Sequence, residues 1–179
     1  MSEGILLAKV ARGTLLPESE RVARLREALP QIRASIEGET DPIAVQATLA
    51  CLLWETFVQS NWCGFYRRIE DRMLAVGPYQ GGMGCLRIPF DRGVCGAAAR
   101  SGQTQLVADV HAFPGHIACD DATRSELVIP VRGGGSLRGV LDLDSPHPMG
   151  YSAKEAEILE DFLNEGWLDG LRWEPKKGE

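Results

Sequence analysis

The sequence predicts an α+β domain, a mostly antiparallel central sheet flanked by N- and C-terminal helices. Three observations predict it. Apolar residues recur at helical spacing near both ends of the chain, first between Val22 and Phe57 and again from Ile158 to Leu171. Between them, short runs alternate as strands do and are separated by turn residues. The strands follow one another as a meander, broken by one short helix and one long loop, rather than alternating with helices as βαβ units would.

The elements are justified in order. Over residues 20–36, Val22, Leu25, Leu29, Ile32 and Ile36 fall on one helical face, and Pro30 is expected to kink that helix or split it. Asp41-Pro42 restarts a helix, with aspartate as N-cap and proline at the first helical position. Its expected buried stripe is Ile43, Ala47, Ala50, Leu53 and Phe57. Trp62 to Ile69 reads as a strand, with Trp62, Gly64 and Tyr66 on one face and Cys63, Phe65 and Arg67 on the other. Glu70-Asp71 turns it, and Met73 to Pro78 pairs back. The glycine-rich 80–84 lacks phosphate-binding spacing and a following helix. Cys85 to Phe90 is a short strand, Val94 to Arg100 a short helix closed by Gly102, and Gln105 to Val110 another strand. Glu126 to Val131 and Leu137 to Asp144 are strands joined by a glycine turn. Ser152 and Glu155 form a capping box ahead of the last helix.

Composition narrows the function classes. The chain has 179 residues, enough for one domain over 1–179 with a core from Arg21 to Leu171 and frayed ends. Its formal net charge is −6 and it has no basic run, so nucleic acid and anionic membrane are poor partners. No signal peptide or membrane-length apolar run is visible, and a cytoplasmic location is expected. The 5 cysteines are an odd number without a C-x-x-C pair, which argues against a disulfide framework and a zinc ribbon. They are either core residues or reactive ones; Cys51 and Cys63 read as core filler.

The segment from Asp109 to Glu126 is where function is sought. It has no regular period, yet it carries Phe113, Pro114 and Ile117 to pack with, and long packed loops are commonly functional. It contains Cys119, a candidate nucleophile whose neighbours Asp120 and Asp121 raise its pKa while His116 and Arg124 offset them. The alternative is a small core thiol. His111, His116, Cys119 and Asp120 fit no standard zinc spacing, so no metal is expected there.

Strand parity adds a patch of acids. If Val131 pairs with Leu137, Glu126 faces Asp142, and Asp144 shares that face while Leu141 and Leu143 point into the core. Like charges across a sheet destabilise it, so such a patch either binds a cation or keeps one acid protonated; the plain alternative is a solvated sheet face.

Four motifs then bring a resemblance. Asn61-Trp62-Cys63-Gly64-Phe65-Tyr66, Arg92-Gly93-Val94-Cys95-Gly96, the string from Val110 to Asp120, and Gly139 to Ser145 closely resemble the free methionine-(R)-sulfoxide reductases, which are stand-alone GAF-domain enzymes. The likeness runs from Arg21 to Leu171 and implies a GAF-like fold. It implies that Cys119 is the catalytic thiol, Cys85 the cysteine that forms a disulfide with it, and Cys95 the third redox cysteine. It implies that Glu126, Asp142 and Asp144 hold substrate and assist proton transfer, and that Trp62 and Tyr66 wall the pocket round the methyl sulfoxide. The implied substrate is free methionine-R-sulfoxide and the external reductant thioredoxin, with no bound cofactor; analogy with the fold allows a homodimer. Two departures stand out: Cys63 replaces an aliphatic residue, and glycines precede Cys85, which makes that flap more mobile. The rival classes are a ligand-sensing GAF module that regulates a partner, and a metal-binding regulator.

Overall fold

The structure is a computed structural model that describes residues 5–115 and 121–173. Helices α1 (Glu18–Ser35) and α2 (Pro42–Thr56) lead into strands β1 (Trp62–Glu70), β2 (Met73–Gly81) and β3 (Arg87–Pro89). Helix α3 (Gly93–Ser101), strand β4 (Gln105–Val107) and a 3₁₀ turn (Val110–Ala112) precede the long strands β5 (Ser125–Gly133) and β6 (Ser136–Ser145). Helix α4 (Ala153–Leu163) and a 3₁₀ turn (Trp167–Gly170) finish the described chain. The strands form one antiparallel sheet in the order β3-β2-β1-β6-β5-β4.

Strand parity sorts the buried residues into two layers. Cys63, Phe65, Leu127, Ile129, Leu141 and Leu143 face α1, α2 and α4 and make the main core with Leu25, Ile32, Leu49, Leu53 and Leu159. Trp62, Tyr66, Leu74, Val128 and Val140 face the other way and pack with Ile88, Phe90 and α3. Helices α1, α2 and α4 pack over one face, whereas short α3 covers only part of the other. The second face is where a cavity remains.

Several expectations are corrected. Pro30 lies inside α1 without splitting it, because Pro30 is exposed and the carbonyl it leaves unbonded, on exposed Arg26, is open to water. The buried stripe of α1 is Arg21, Leu25, Ala28 and Ile32, so Val22 and Leu29 flank the interface. The N-cap at Asp41 holds, accepting from Ile43 N at 2.7 Å, but Ile43 and Ala47 are exposed and Val45, Leu49, Leu52 and Leu53 are buried. Cys51 consequently sits on the exposed side of α2 and is no core filler; Cys63 is fully buried. β3 and β4 are each shorter than the runs read from sequence, and β2 extends to Gly81.

The β5–β6 register also differs. Gly134 and Gly135 both have positive φ, 59° and 73°, making a two-residue turn that closes Gly133 on Ser136. An irregularity between Val131 and Arg132 then moves Val131 opposite Gly139 instead of Leu137. Glu126 faces Asp144, and Asp142 faces Val128. The shift is an even number of residues, so every side chain keeps its expected face.

Two arginines of α1 tie the helical layer together. Arg24 donates to the carbonyls of Glu55 and Thr56 at 2.7 and 2.9 Å, closing the C-terminus of α2, which has no basic residue in its own last turn. Arg21 pairs with Glu155 of α4 through contacts of 2.9–3.1 Å, and Glu155 is 0% exposed. The same carboxylate accepts from Ser152 N in the capping box. Removing it strands a buried guanidinium, so Glu155→Ala is expected to lower unfolding stability by about 3–5 kcal/mol in a urea titration, and a loss below about 1 kcal/mol would sink this account.

Candidate active site

The cavity on the second face of the sheet has a volume of about 290 Å³. Its wall is aromatic. Trp62 stacks on Tyr66 with centroids 5.5 Å apart and on Tyr79 at 5.2 Å, with interplanar angles of 19° and 15°. Gly64 makes this stack possible: a Cβ there would lie 2.2 Å from Tyr79 Cβ across the β1–β2 ladder. Gly82, Met83 and Gly84 complete the lining, and the Cys85 backbone N–H donates to the Tyr66 hydroxyl. The segment before Cys85 is therefore pinned to the cavity wall. Burial pushes the Tyr66 hydroxyl far above its ordinary pKa, with the charge of Asp142 adding to it, so it stays a neutral phenol.

The floor is acidic. β5 supplies Glu126, β6 supplies Asp142 and Asp144, and α3 supplies Cys95. Glu126 is 8% and Asp142 4% exposed. Cys95 Sγ and one carboxylate oxygen from each of Glu126 and Asp142 lie within 4.8 Å of one another. Burial drives the Glu126 pKa well up, with the neighbouring Asp142 charge adding to it. Burial also raises Asp142, to about 7, against hydrogen bonds from the Cys95 thiol and the Leu143 amide that favour its ionised form. Cys95 in turn is held as a thiol, first by burial and then by the charges of Asp142 and Glu126. Asp142 Oδ1 and Trp62 Nε1 are buried with no hydrogen-bond partner among the described residues. An acceptor and a donor thus face the cavity ready for a polar ligand.

Six of the residues singled out in the sequence (Trp62, Tyr66, Cys95, Glu126, Asp142 and Asp144) line this one cavity. Cys85 sits beside it and is disulfide-bonded, while Cys51, Cys63 and Cys95 are free. Cys119 and His116 lie outside the described residues. His111 is exposed on the 3₁₀ turn, its amide bonded to Asp109 Oδ1 at 3.0 Å. Sequence reasoning passed over Ile88, Val94 and Thr123 in the lining, and Tyr79 behind Trp62. Tyr79 was within reach, since the glycine opposite it leaves room for a ring; the other three depend on how α3 and the loop fold back.

Asp142 gives a pH signature. Its carboxyl has a pKa of about 7 when folded against an ordinary 3.8, so its neutral form favours the folded state at low pH and that contribution disappears as pH rises through 7. Ligand-free protein is expected to lose stability between about pH 4 and 7 in urea titrations, and Asp142→Asn to flatten part of that slope. Parallel pH profiles for the two proteins would show that Asp142 is not held in this way.

Comparison with known proteins agrees with the geometry. Residues 40–168 match the GAF domain family. The chain is 48% identical over 112 residues to the free methionine-R-sulfoxide reductase of Escherichia coli, covering 63% of this chain and 67% of that one. It is 39% identical over 145 residues to the enzyme of the same name from Saccharomyces cerevisiae, covering 75% and 81%. Its fold overlays on the crystal structure of the Neisseria meningitidis free methionine-R-sulfoxide reductase in complex with its substrate, with a TM-score of 0.77 and 39% identity over 87% of this chain and 91% of that one. A GAF fold, a cavity on its open face and this degree of identity place the protein as an enzyme in the GAF-domain family of free methionine-R-sulfoxide reductases.

Proposed function

We propose that this enzyme reduces free L-methionine-(R)-sulfoxide to L-methionine, using Cys119 as nucleophile, Cys85 as resolving thiol and thioredoxin as external reductant in a cytoplasmic setting. The observation that carries the reading is the buried carboxyl pair Glu126 and Asp142 in a cavity walled by Trp62 and Tyr66. A sulfoxide sulfur resists thiolate attack until its oxygen is protonated. A buried carboxyl with its pKa raised to near neutrality is suited to give that proton. Trp62 and Tyr66, with Tyr79 stacked behind Trp62, offer an apolar surface to the S-methyl group, and Asp144 with the ionised partner of the pair meets the α-ammonium.

The chemistry balances without a bound cofactor. The Cys119 thiolate attacks the sulfoxide sulfur and the acid delivers its proton to the oxygen. Methionine leaves, and Cys119 keeps the oxygen as a sulfenic acid. The Cys85 thiolate attacks that sulfur, water departs and a disulfide remains, which a thioredoxin dithiol reduces. The disulfide-bonded state of Cys85 and its tie to Tyr66 support its part in this cycle. The cavity's lining offers no basic side chain among the described residues, so the cationic group is best brought by the substrate. A methionine within a polypeptide has no α-ammonium to bring, which favours the free amino acid.

Cys119→Ser is expected to abolish turnover of free methionine-R-sulfoxide. Cys85→Ser should release about one methionine per chain and then stop with thioredoxin as reductant. Normal turnover of the first variant, or steady cycling of the second, would remove these roles. Asp142→Asn is expected to lower kcat/KM by at least ~100-fold, most of it in kcat, because a proton donor is lost. A sensor would instead bind the sulfoxide with no loss of titratable thiols, whereas the enzyme consumes two per chain in one turnover.

A further inference from the structure

Catalysis as proposed uses the acids of the cavity floor and gives the thiol among them no bond to make or break, only a hydrogen bond to Asp142. Cys95 Sγ, a Glu126 oxygen and an Asp142 oxygen come from three elements, α3, β5 and β6, and converge within 4.8 Å of one another. All three side chains are buried, and Asp142 Oδ1 has no hydrogen-bond partner among the described residues. The cavity's described lining brings no lysine, arginine or histidine to Asp142. A buried acceptor left open in an acidic cavity calls for a cation from outside.

We propose that Cys95, Glu126 and Asp142 form a binding site for a thiophilic divalent metal ion, zinc foremost, and that the ion inhibits the enzyme by occupying the cavity floor in place of the substrate. The donor set decides the class of ion. One sulfur with two carboxylate oxygens suits zinc or cadmium, while magnesium and calcium require oxygen alone. Zinc bonds of about 2.0–2.3 Å place the donors of one ion roughly 3–4 Å apart, so side-chain rotations that draw these atoms slightly inward are sufficient. Three protein ligands leave a fourth position open to the cavity, for water or a competing ligand. On binding, the thiol proton and any carboxyl proton pass to solvent and the metal–ligand bonds replace them. Metal binding stands on this geometry alone; only the competition with substrate rests on the reductase reading.

The test uses the full chain carrying Cys51→Ser, Cys85→Ser and Cys119→Ser. The thiols left are Cys95 and Cys63, and Cys63 lies in the core on the opposite face of the sheet. Calorimetric titration is expected to show one zinc per chain and no binding of magnesium, and cadmium should produce the ultraviolet thiolate charge-transfer band. Adding Cys95→Ser should abolish the band and weaken zinc binding at least ~10-fold, with Glu126→Gln weakening zinc similarly while keeping the band's sulfur. An absent band, or one that survives Cys95→Ser, overturns the site. Saturating free methionine-R-sulfoxide should raise the apparent zinc Kd; an unchanged Kd with the sulfoxide bound overturns the inhibition. If the sulfoxide gives no binding heat while zinc still binds, it is the substrate reading that fails.

Discussion

Two carboxyl groups buried side by side, with no basic side chain among the described residues of their cavity, set the terms for the rest of the structure. Neither can ionise cheaply while the other is charged, and burial penalises the charge of both. What makes Asp142 tolerable is local: the Cys95 thiol and the Leu143 amide both donate to it. The strain is then carried by the packing on the far side of the same strands. Leu127, Leu141 and Leu143 alternate with the acids and are fully buried against the helices. β5 and β6 cannot relax to let water reach the carboxyls without exposing that core.

Register is therefore the quantity the fold must hold. A slip of one residue between β5 and β6 would push Asp142 and Asp144 into the helical core and turn Leu141 and Leu143 toward the cavity. The two-residue glycine turn fixes the start of the ladder, and the irregularity after Val131 takes up the offset it creates. On the helical side, Arg21 with Glu155 and Arg24 with the end of α2 lock the layer that the leucines press against. A buried ion pair of this kind adds little net energy but penalises every arrangement that leaves one partner alone. The site and the scaffold thus share one requirement: side chains of β5 and β6 on their assigned faces.

This explains which parts were legible in the sequence. Period-two parity is local, so the shared face of Glu126, Asp142 and Asp144 and the opposite face of the leucines were readable, even though the pairing partners were not. The bulge after Val131 was hidden because it depends on how two successive glycines turn, and the string R-G-G-G-S admits several turn lengths. Caps were readable at Asp41 and Ser152 because they are chemistry within one turn of the chain. The stripe of α2 was readable only in part: Ala50, Leu53 and Phe57 are buried as expected, but Ala, Leu and Ile surround that helix almost evenly, and only tertiary packing decides that Val45 is buried and Ile43 exposed. Cys51 was misplaced for the same reason. Pro30 was over-read, since its cost is small where its orphaned carbonyl meets water.

The acids also divide labour among the cysteines on the proposed reading. Whatever raises the proton affinity of Glu126 and Asp142 to suit a sulfoxide oxygen acts on every thiol within reach. Among the described residues Cys95 is the thiol that meets them, and its burial and then their charges hold its proton in place. It is consequently a poor nucleophile in the ligand-free enzyme and serves better as a hydrogen-bond donor that keeps Asp142 from drifting to a still higher pKa. The resolving thiol has to stand apart from this floor. Cys85 does so: it follows the glycine segment that lines the cavity and packs beside Trp62 and Tyr66, outside the cavity's described lining. Separating the proton-donating acids from the resolving sulfur lets one small cavity protonate an oxygen and still present a thiolate at its rim.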